Sequence, residues 1–324
     1  MKTIGIKQSG GSDQLYIMER DKPELGKGDL LIKVAATGVN RTDILTRERE
    51  TDEPENVRLG VEVAGTVVEA HSDSPYSVGD RVMSLVNGGG YSEYVTIPSD
   101  RVMRIPDKLS FVEGAAISEV FATAYQTLFW IGRLEENETV LIHAGASGVG
   151  TAAIQLAKQL KNAHVIVTAG SKEKLDFCRN LGADVVINYK EEAFDEVILA
   201  ETEGRGVNLI LDFVGASYWE KNYNSIAMDG RWVLIGTLGG TKIPHFDIFS
   251  LMRKRIQLTG TGLTPRSDAY KAALSQELIT KTKDLFENGT MKPIVDTTFD
   301  FEDVKKAHDY MEANKNTGKI ILTL

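Results

Sequence analysis

Val140-Leu141-Ile142-His143-Ala144-Gly145-Ala146-Ser147-Gly148-Val149-Gly150, continuing into Thr151-Ala152-Ala153-Ile154-Gln155-Leu156-Ala157, is the most informative stretch of this chain. An apolar strand runs into a glycine-rich corner and out into a helix with small residues on its first turns. That pattern suits a pyrophosphate: the backbone approaches closely where no Cβ intervenes, and the unpaired N–H groups and dipole of a helix start favour negative charge. The strict G-x-G-x-x-G spelling is not met, because Ser147 stands at the second glycine while Gly148 adds another. The flanking strand and helix therefore carry the assignment. A ligand-free structural turn stays open as an alternative. A nucleophile elbow, G-x-S-x-G, needs glycine where Val149 stands.

The next strand bears on the choice of nucleotide. NAD-binding units place an acidic residue about 20 residues after the glycines, where it accepts from the ribose hydroxyls. Here the strand ends Val167-Thr168-Ala169-Gly170-Ser171-Lys172-Glu173-Lys174. No carboxylate stands at Gly170 to repel a 2′-phosphate, and Ser171 and Lys174 can donate to one, so NADPH is expected over NADH. Ser171 also suits the N-cap of the following helix, and one corner can serve both purposes.

Outward from the glycine turn, strands alternate with helices. Strands are expected at Val140–His143, Val165–Thr168, Val185–Asn188, Leu209–Phe213 and Trp232–Ile235, with helices at Val149–Leu160 and Lys172–Leu181. This rhythm predicts a doubly wound parallel sheet. Up to about Pro106 the pattern differs. Short runs, Leu30–Val34, Val61–Val68, Arg81–Val86 and Tyr91–Thr96, are broken at Gly28-Asp29, Gly79-Asp80 and Gly88-Gly89-Gly90, which predicts a compact, mostly antiparallel β domain. After Gly262 come helical stretches at Asp268–Asn288 and Val304–Ala313 and a last apolar strand, Lys319–Leu324, expected to return to the first domain. The fold class is α/β, with a β-rich domain at 1–120 and 263–324 and a nucleotide-binding domain at 121–262.

The 324 residues carry 37 Lys and Arg against 46 Asp and Glu, a net charge of −9, and one cysteine, Cys178. An acidic chain is poorly suited to duplex nucleic acid. The basic run Arg253-Lys254-Arg255 reads as a solvated or cofactor-facing corner. One thiol makes neither an internal disulfide nor a cysteine-based structural zinc site. No stretch approaches a membrane span and the N-terminus does not read as a signal peptide, so the expected location is cytoplasmic, with no membrane partner. The Met and aromatic residues, Trp130 and Phe249 included, read as core, and Cys178 as buried filler.

Seven stretches occur in an order that resembles the medium-chain dehydrogenase/reductase superfamily: Thr37–Asp43, the glycine turn, Val167–Ser171, Val207–Asp212, Ser217–Asn222, Asp229–Leu234 and Tyr310–Asn316. The likeness is strongest to its zinc-free, zeta-crystallin-like quinone oxidoreductases, and within them to the tumour-suppressor-induced enzymes of animals. The resemblance implies a GroES-like first domain, a Rossmann second domain and a homodimer paired through an edge strand, here Arg255–Gly260. In the zinc-dependent relatives Cys, His and Cys hold the metal. The matching positions here are Asn40, Val61 (before Glu62) and Glu119, so no zinc ligand set remains.

Without a metal to activate an alcohol, the implied chemistry is hydride delivery from NADPH to an electron-poor small molecule, a quinone or conjugated enone. By position, the resemblance assigns Asn40 as an amide donor near the acceptor oxygen or the nicotinamide, against a turn-forming Asn, and Thr123 as a neighbour of the nicotinamide ribose, against an ordinary buried helix residue. It places Ser147, Gly148, Val149, Gly150, Gly170, Ser171, Lys174, Tyr189, Val214, Gly215, Ile235, Gly236, Thr261 and Asn316 around the cofactor. The loop Leu45–Glu55 departs from the branch: it is charged and lacks the tyrosine that would stack on a flat quinone. Two alternatives accompany the reductase: a 2-alkenal or enoyl reductase of the same superfamily, and an NADPH-binding sensor or structural protein like the crystallin relatives.

Overall fold

The computed structural model describes all residues, Met1–Leu324. The chain divides into two units, Met1–Ala122 with Thr264–Leu324, and Thr123–Leu263.

In the first unit a seven-stranded sheet is built around the long strand Asp29–Val39, which pairs antiparallel with Glu62–Ala70, with Tyr94–Pro98 and with the last strand, Lys319–Thr323. The last strand also pairs parallel with Val295–Asp300. The register Ile320↔Val39 sets Lys319 beside Asn40, and the register Thr37↔Val63 sets Glu62 beside Gly38. Alternate residues of Asp29–Val39 supply one core, where Leu30, Ile32 and Val34 pack with Val63, Val67, Val82 and Ile97. A second core joins Val39 and Ile44 to the tail residues Phe301, Val304, Ala307, Ile320 and Leu322. The helix Arg41–Glu48 begins directly after Asn40, whose N–H is capped by the Asp43 carboxylate at 2.9 Å.

The second unit is a six-stranded parallel sheet in the order Val185–Asn188, His164–Ala169, Thr139–Ile142, Val207–Asp212, Ile226–Leu234, Gln257–Gly260. The chain order reverses between Thr139–Ile142 and Val207–Asp212, the switch point at which ligands of such sheets bind beyond the carboxyl ends of the strands. The central strands are sealed from water: Val140, Leu141, Ile142, Val165, Ile166, Val167, Leu209, Ile210 and Leu211 have no exposed surface. Near-continuous apolar runs are what a sheet covered on both faces requires.

The expected helix Lys172–Leu181 is found to the residue, and the glycine turn opens the helix Gly148–Lys161. Other expectations need correction. The strand expected from Tyr91 starts at Tyr94, because Gly88 and Gly89 take left-handed φ and fold the chain so that the Tyr91 N–H donates to Leu59 O. The hairpin Lys2–Ile6 with Leu15–Glu19 and the strand Val295–Asp300 were not expected. Phe249 is not core: it is 57% exposed, and Trp130 is only half-buried. Lys254 is neither solvated nor cofactor-facing, since its ammonium donates to the carbonyls of Tyr223, Asn224 and Ile226 around the end of the helix Trp219–Ser225. No helix is long and apolar enough to cross a membrane.

Candidate functional site

Because the second unit's sheet is parallel, all its strands end on one edge. The corner at 145–150 follows Ile142; Gly170 and Ser171 follow Ala169; Tyr189 follows Asn188; Val214 and Gly215 follow Asp212; Ile235 and Gly236 follow Leu234; and Thr261 follows Gly260. The topology thus gathers these residues on one edge, with Lys174 in the first turn of the helix that follows Ser171, whereas Thr123 stands in the helix Ser118–Tyr125.

The corner itself is tightly built. Ala144 takes φ +50°, rarely adopted by a residue with a Cβ. The Gly145 N–H donates to Thr168 O at 3.0 Å, and a Cβ on Gly150 would lie 2.4 Å from Ala144 O. Ser147 caps the helix, its hydroxyl accepting from the Gly150 N–H at 3.1 Å. The amides of Gly148 and Val149 precede the first intrahelical bond and have no carbonyl of their own helix behind them, which leaves two donors facing an incoming anion. Ser171 likewise caps its helix, accepting from the Lys174 N–H. Gly170 is a close approach: a Cβ there would meet the Tyr189 hydroxyl at 2.7 Å. Tyr189, 41% exposed, stands edge-on to Tyr218.

A buried polar chain beneath this edge escapes sequence reasoning. Asp212 Oδ1 accepts from the N–H groups of Val214 and Gly215, at 2.8 and 3.0 Å, and Oδ2 accepts from Asn222 Nδ2 and Trp232 Nε1. With its amide nitrogen committed to a carboxylate, Asn222 presents Oδ1 to His143, 2.7 Å from Nε2. His143 therefore carries its proton on Nε2 and accepts at Nδ1 from the Thr168 hydroxyl, 2.9 Å away. Burial lowers the His143 pKa, against the opposing pull of Asp212, so the ring is neutral. The chain ties together three strand ends at the switch point. Its only sequence signal is a polar residue at the end of each of three apolar strands.

In the first unit an ion pair lies beside two of the positions matching the zinc ligands, Asn40 and Glu119. Lys319 Nζ lies 2.7 Å from Glu62 Oε1, donates to Asn40 Oδ1 at 2.6 Å and to Val39 O at 3.1 Å, and both charged side chains are sealed from water. Asn40 Nδ2 donates to Glu62 Oε1 at 2.9 Å and to Gly38 O at 3.3 Å; the Glu119 N–H donates to Glu62 Oε2 at 2.7 Å. Gly38 makes room for all of this, since a Cβ there would lie 2.1 Å from Glu62 Oε1 and 2.9 Å from Lys319 Nζ. Beside it, burial raises the Asp43 pKa to about 6, although donors from Gly60 and Asn40 and the nearby Lys319 ammonium pull it down.

This arrangement decides two questions about the site. Zinc does not suit these donors: Val61 is a hydrocarbon, and Glu62 Oε1 and Asn40 Oδ1 already serve an ammonium. Asn40 does not present a free amide, because Glu62 and Gly38 O take both its N–H groups. A donor role toward an acceptor oxygen would require exchanging one of these bonds. Thr123 is buried in the helix Ser118–Tyr125 and its carbonyl accepts from the Thr127 hydroxyl. Asn316 Nδ2 donates to Gly318 O in the turn before the last strand.

Family models describe residues 26–107 as an alcohol dehydrogenase GroES-like domain and residues 148–278 as a zinc-binding dehydrogenase. The human synaptic vesicle membrane protein VAT-1 homolog is 30% identical over 340 residues, covering 99% of this chain and 86% of that protein. A highly-reducing polyketide synthase of Aureobasidium melanogenum is 30% identical over 98% of this chain, which spans only 14% of the synthase. Among solved structures, a mycobacterial protein complexed with NADPH matches with a TM-score of 0.89 at 29% identity, covering 100% of both chains. A quinone oxidoreductase of Pseudomonas syringae matches with a TM-score of 0.88 at 27% identity, covering 100% of this chain and 99% of its own. The chain belongs to the medium-chain dehydrogenase/reductase superfamily of oxidoreductases, in the branch of zinc-free quinone oxidoreductases.

Proposed function

We propose that this protein is an NADPH-dependent reductase that delivers hydride to quinones or other activated carbonyl or enone acceptors, without zinc or flavin. The observation that carries the reading is the strand-end edge: the Gly148 and Val149 amides offer a seat for a pyrophosphate, and Gly170-Ser171 puts no carboxylate of its own at the strand end to repel a 2′-phosphate, while the Glu173 carboxylate of the following helix hydrogen-bonds the Ser171 side chain. When bound, NADPH supplies the hydride from its nicotinamide ring. The chain's share is to hold it: Ser147 and Ser171 fix two helix starts, and the His143–Asn222–Asp212 chain stiffens the strand ends against which Val214 and Gly215 lie. In the first unit Asn40 is fixed between opposite charges and would act as a donor only by exchanging one of its present bonds.

The charged loop Leu45–Glu55, with no aromatic residue, favours an enone over a flat quinone as the acceptor. The NADPH-complexed mycobacterial structure supports the cofactor. The reading also includes a cytoplasmic homodimer.

Nucleotide titration followed by an acceptor panel tests the proposal. NADPH should bind more tightly than NADH, Ser171→Asp should reverse that order, and NADPH oxidation should accompany reduction of quinones, enones or 2-alkenals. Unchanged NADPH affinity in Ser171→Asp would overturn the cofactor assignment. Tight NADPH binding with no turnover across the panel would favour a sensor or structural role. Stoichiometric zinc in the purified protein would overturn the metal-free reading.

A further inference from the structure

The structure assigns to Lys319 the role of resident cation at the centre formed by Glu62, Asn40 and the Val39 carbonyl: its ammonium fills a binding site for a small cation and fixes the orientation of Asn40. The inference rests on the metal-free reading of this centre and not on the identity of the acceptor. Three independent features support it.

The first is geometry. One carboxylate oxygen, one amide oxygen and one carbonyl oxygen converge on Nζ at 2.7, 2.6 and 3.1 Å, an all-oxygen set matched to the three N–H bonds of a primary ammonium. The second is charge. Glu62 has no exposed surface, and a buried carboxylate is tolerated only when a paired cation and hydrogen bonds satisfy its oxygens. Lys319 supplies the cation, while Asn40 and the Glu119 amide supply the bonds. The third is space. The gap over Gly38 is occupied by the pair itself, and a Cβ at that position would collide with both partners.

The amide of Asn40 follows from the charges on either side. Only its oxygen can face an ammonium and only its nitrogen can face a carboxylate, so Lys319 and Glu62 together allow one of its two flip states. Lys319 is thus a positioning residue.

The test is chemical replacement of the ammonium in the full-length protein. Lys319→Ala should melt roughly 5–10 °C below wild type. Methylammonium should raise the melting temperature of Lys319→Ala saturably, whereas tetramethylammonium at equal ionic strength, having no N–H to donate, should not. Adding Glu62→Gln to Lys319→Ala should abolish the response to methylammonium. A variant indifferent to methylammonium, or responding equally to both ions or equally without the Glu62 charge, overturns the inference. Should Lys319→Ala fail to fold, the double variant Glu62→Gln/Lys319→Met, which removes both charges together, should fold; if it is equally unfolded, the inference also fails. Zinc analysis of wild type separates the two readings, because zinc-free wild type with an unresponsive Lys319→Ala defeats this inference alone.

Discussion

Arg47 Nη1 lies 3.1 Å from His308 Nδ1, and the contact fixes the state of the imidazole. A guanidinium can only donate, so Nδ1 accepts and the ring proton sits on Nε2. Nε2 then donates to the Tyr91 hydroxyl at 3.2 Å, and that hydroxyl donates to Asp43 Oδ2 at 3.2 Å. A directed chain thus runs from the tail helix Val304–Glu312 to the residue that caps Asn40. It joins the two ends of the chain within the first unit.

The chain makes stability depend on pH in two opposing ways. Burial, then the Arg47 charge, lowers the His308 pKa to about 3, so its contribution is present above about pH 6.5 and is lost as pH falls toward 3. Asp43, raised from 3.8 to about 6, contributes fully below 3.8 and loses that contribution as pH rises through 6. His308→Gln keeps an acceptor for Arg47 and a donor for Tyr91 but cannot titrate. Below pH 6.5 the stability difference between wild type and His308→Gln should shift against wild type by about 1.4 kcal/mol per pH unit. Urea denaturation between pH 5 and 7 measures it; parallel curves for the two proteins would refute the assigned charge state.

Gly38 should be intolerant of even a methyl group. Its backbone is ordinary extended strand, so alanine suffers no conformational penalty, and the whole cost comes from Glu62 Oε1 and Lys319 Nζ, which the new Cβ would displace. Separating a buried ion pair costs about 3–5 kcal/mol. Gly38→Ala should lose stability on that scale in denaturant titration. A loss below about 1 kcal/mol would show that the pair can relax into other space.

Asp212 accepts four hydrogen bonds, two on each oxygen. In Asp212→Asn the oxygen can stay with the Val214 and Gly215 amides only by turning the new NH₂ toward Asn222 Nδ2 and Trp232 Nε1, both donors. Unmet buried donors cost about 1–3 kcal/mol each. The variant should be destabilised by about 2–4 kcal/mol, shift the emission of Trp232 and bind NADPH more weakly. Native emission with native affinity would remove the network from the nucleotide site.

What is legible in the sequence follows from how local its cause is. The helix Lys172–Leu181 is marked at both ends by Ser171 as N-cap and by Gly182, whose φ of +116° suits no other residue, and its span is readable to the residue. The parallel strands announce themselves as apolar runs, and with them the edge carrying Gly170, Tyr189, Val214 and Ile235. The hairpin strand Leu15–Glu19 does not, because Ile17 is exposed and Tyr16 and Met18 are half-buried, which blurs the alternation. Lys319 and Glu62 stand far apart in the chain. Nothing local tells that a lysine before Ile320 turns inward; only the register Ile320↔Val39 does so.

The last strand of the second unit's sheet, Gln257–Gly260, pairs on one side with Ile226–Leu234 and has an open edge on the other, with all four residues exposed. Leu258 is 38% exposed, and the neighbouring segment adds exposed Ile248, Phe249 and Met252. An apolar edge of this kind calls for a partner, and a second copy paired across a twofold axis satisfies the unpaired N–H and C=O groups while covering those side chains. Wild type should therefore sediment as a dimer. Leu258→Lys places a charge on that edge and should shift the protein toward monomer while leaving NADPH binding intact, because the edge lies on the flank of the sheet and not at its carboxyl ends. A wild-type monomer in sedimentation velocity, or an unaltered dimer for Leu258→Lys, would locate the contact elsewhere.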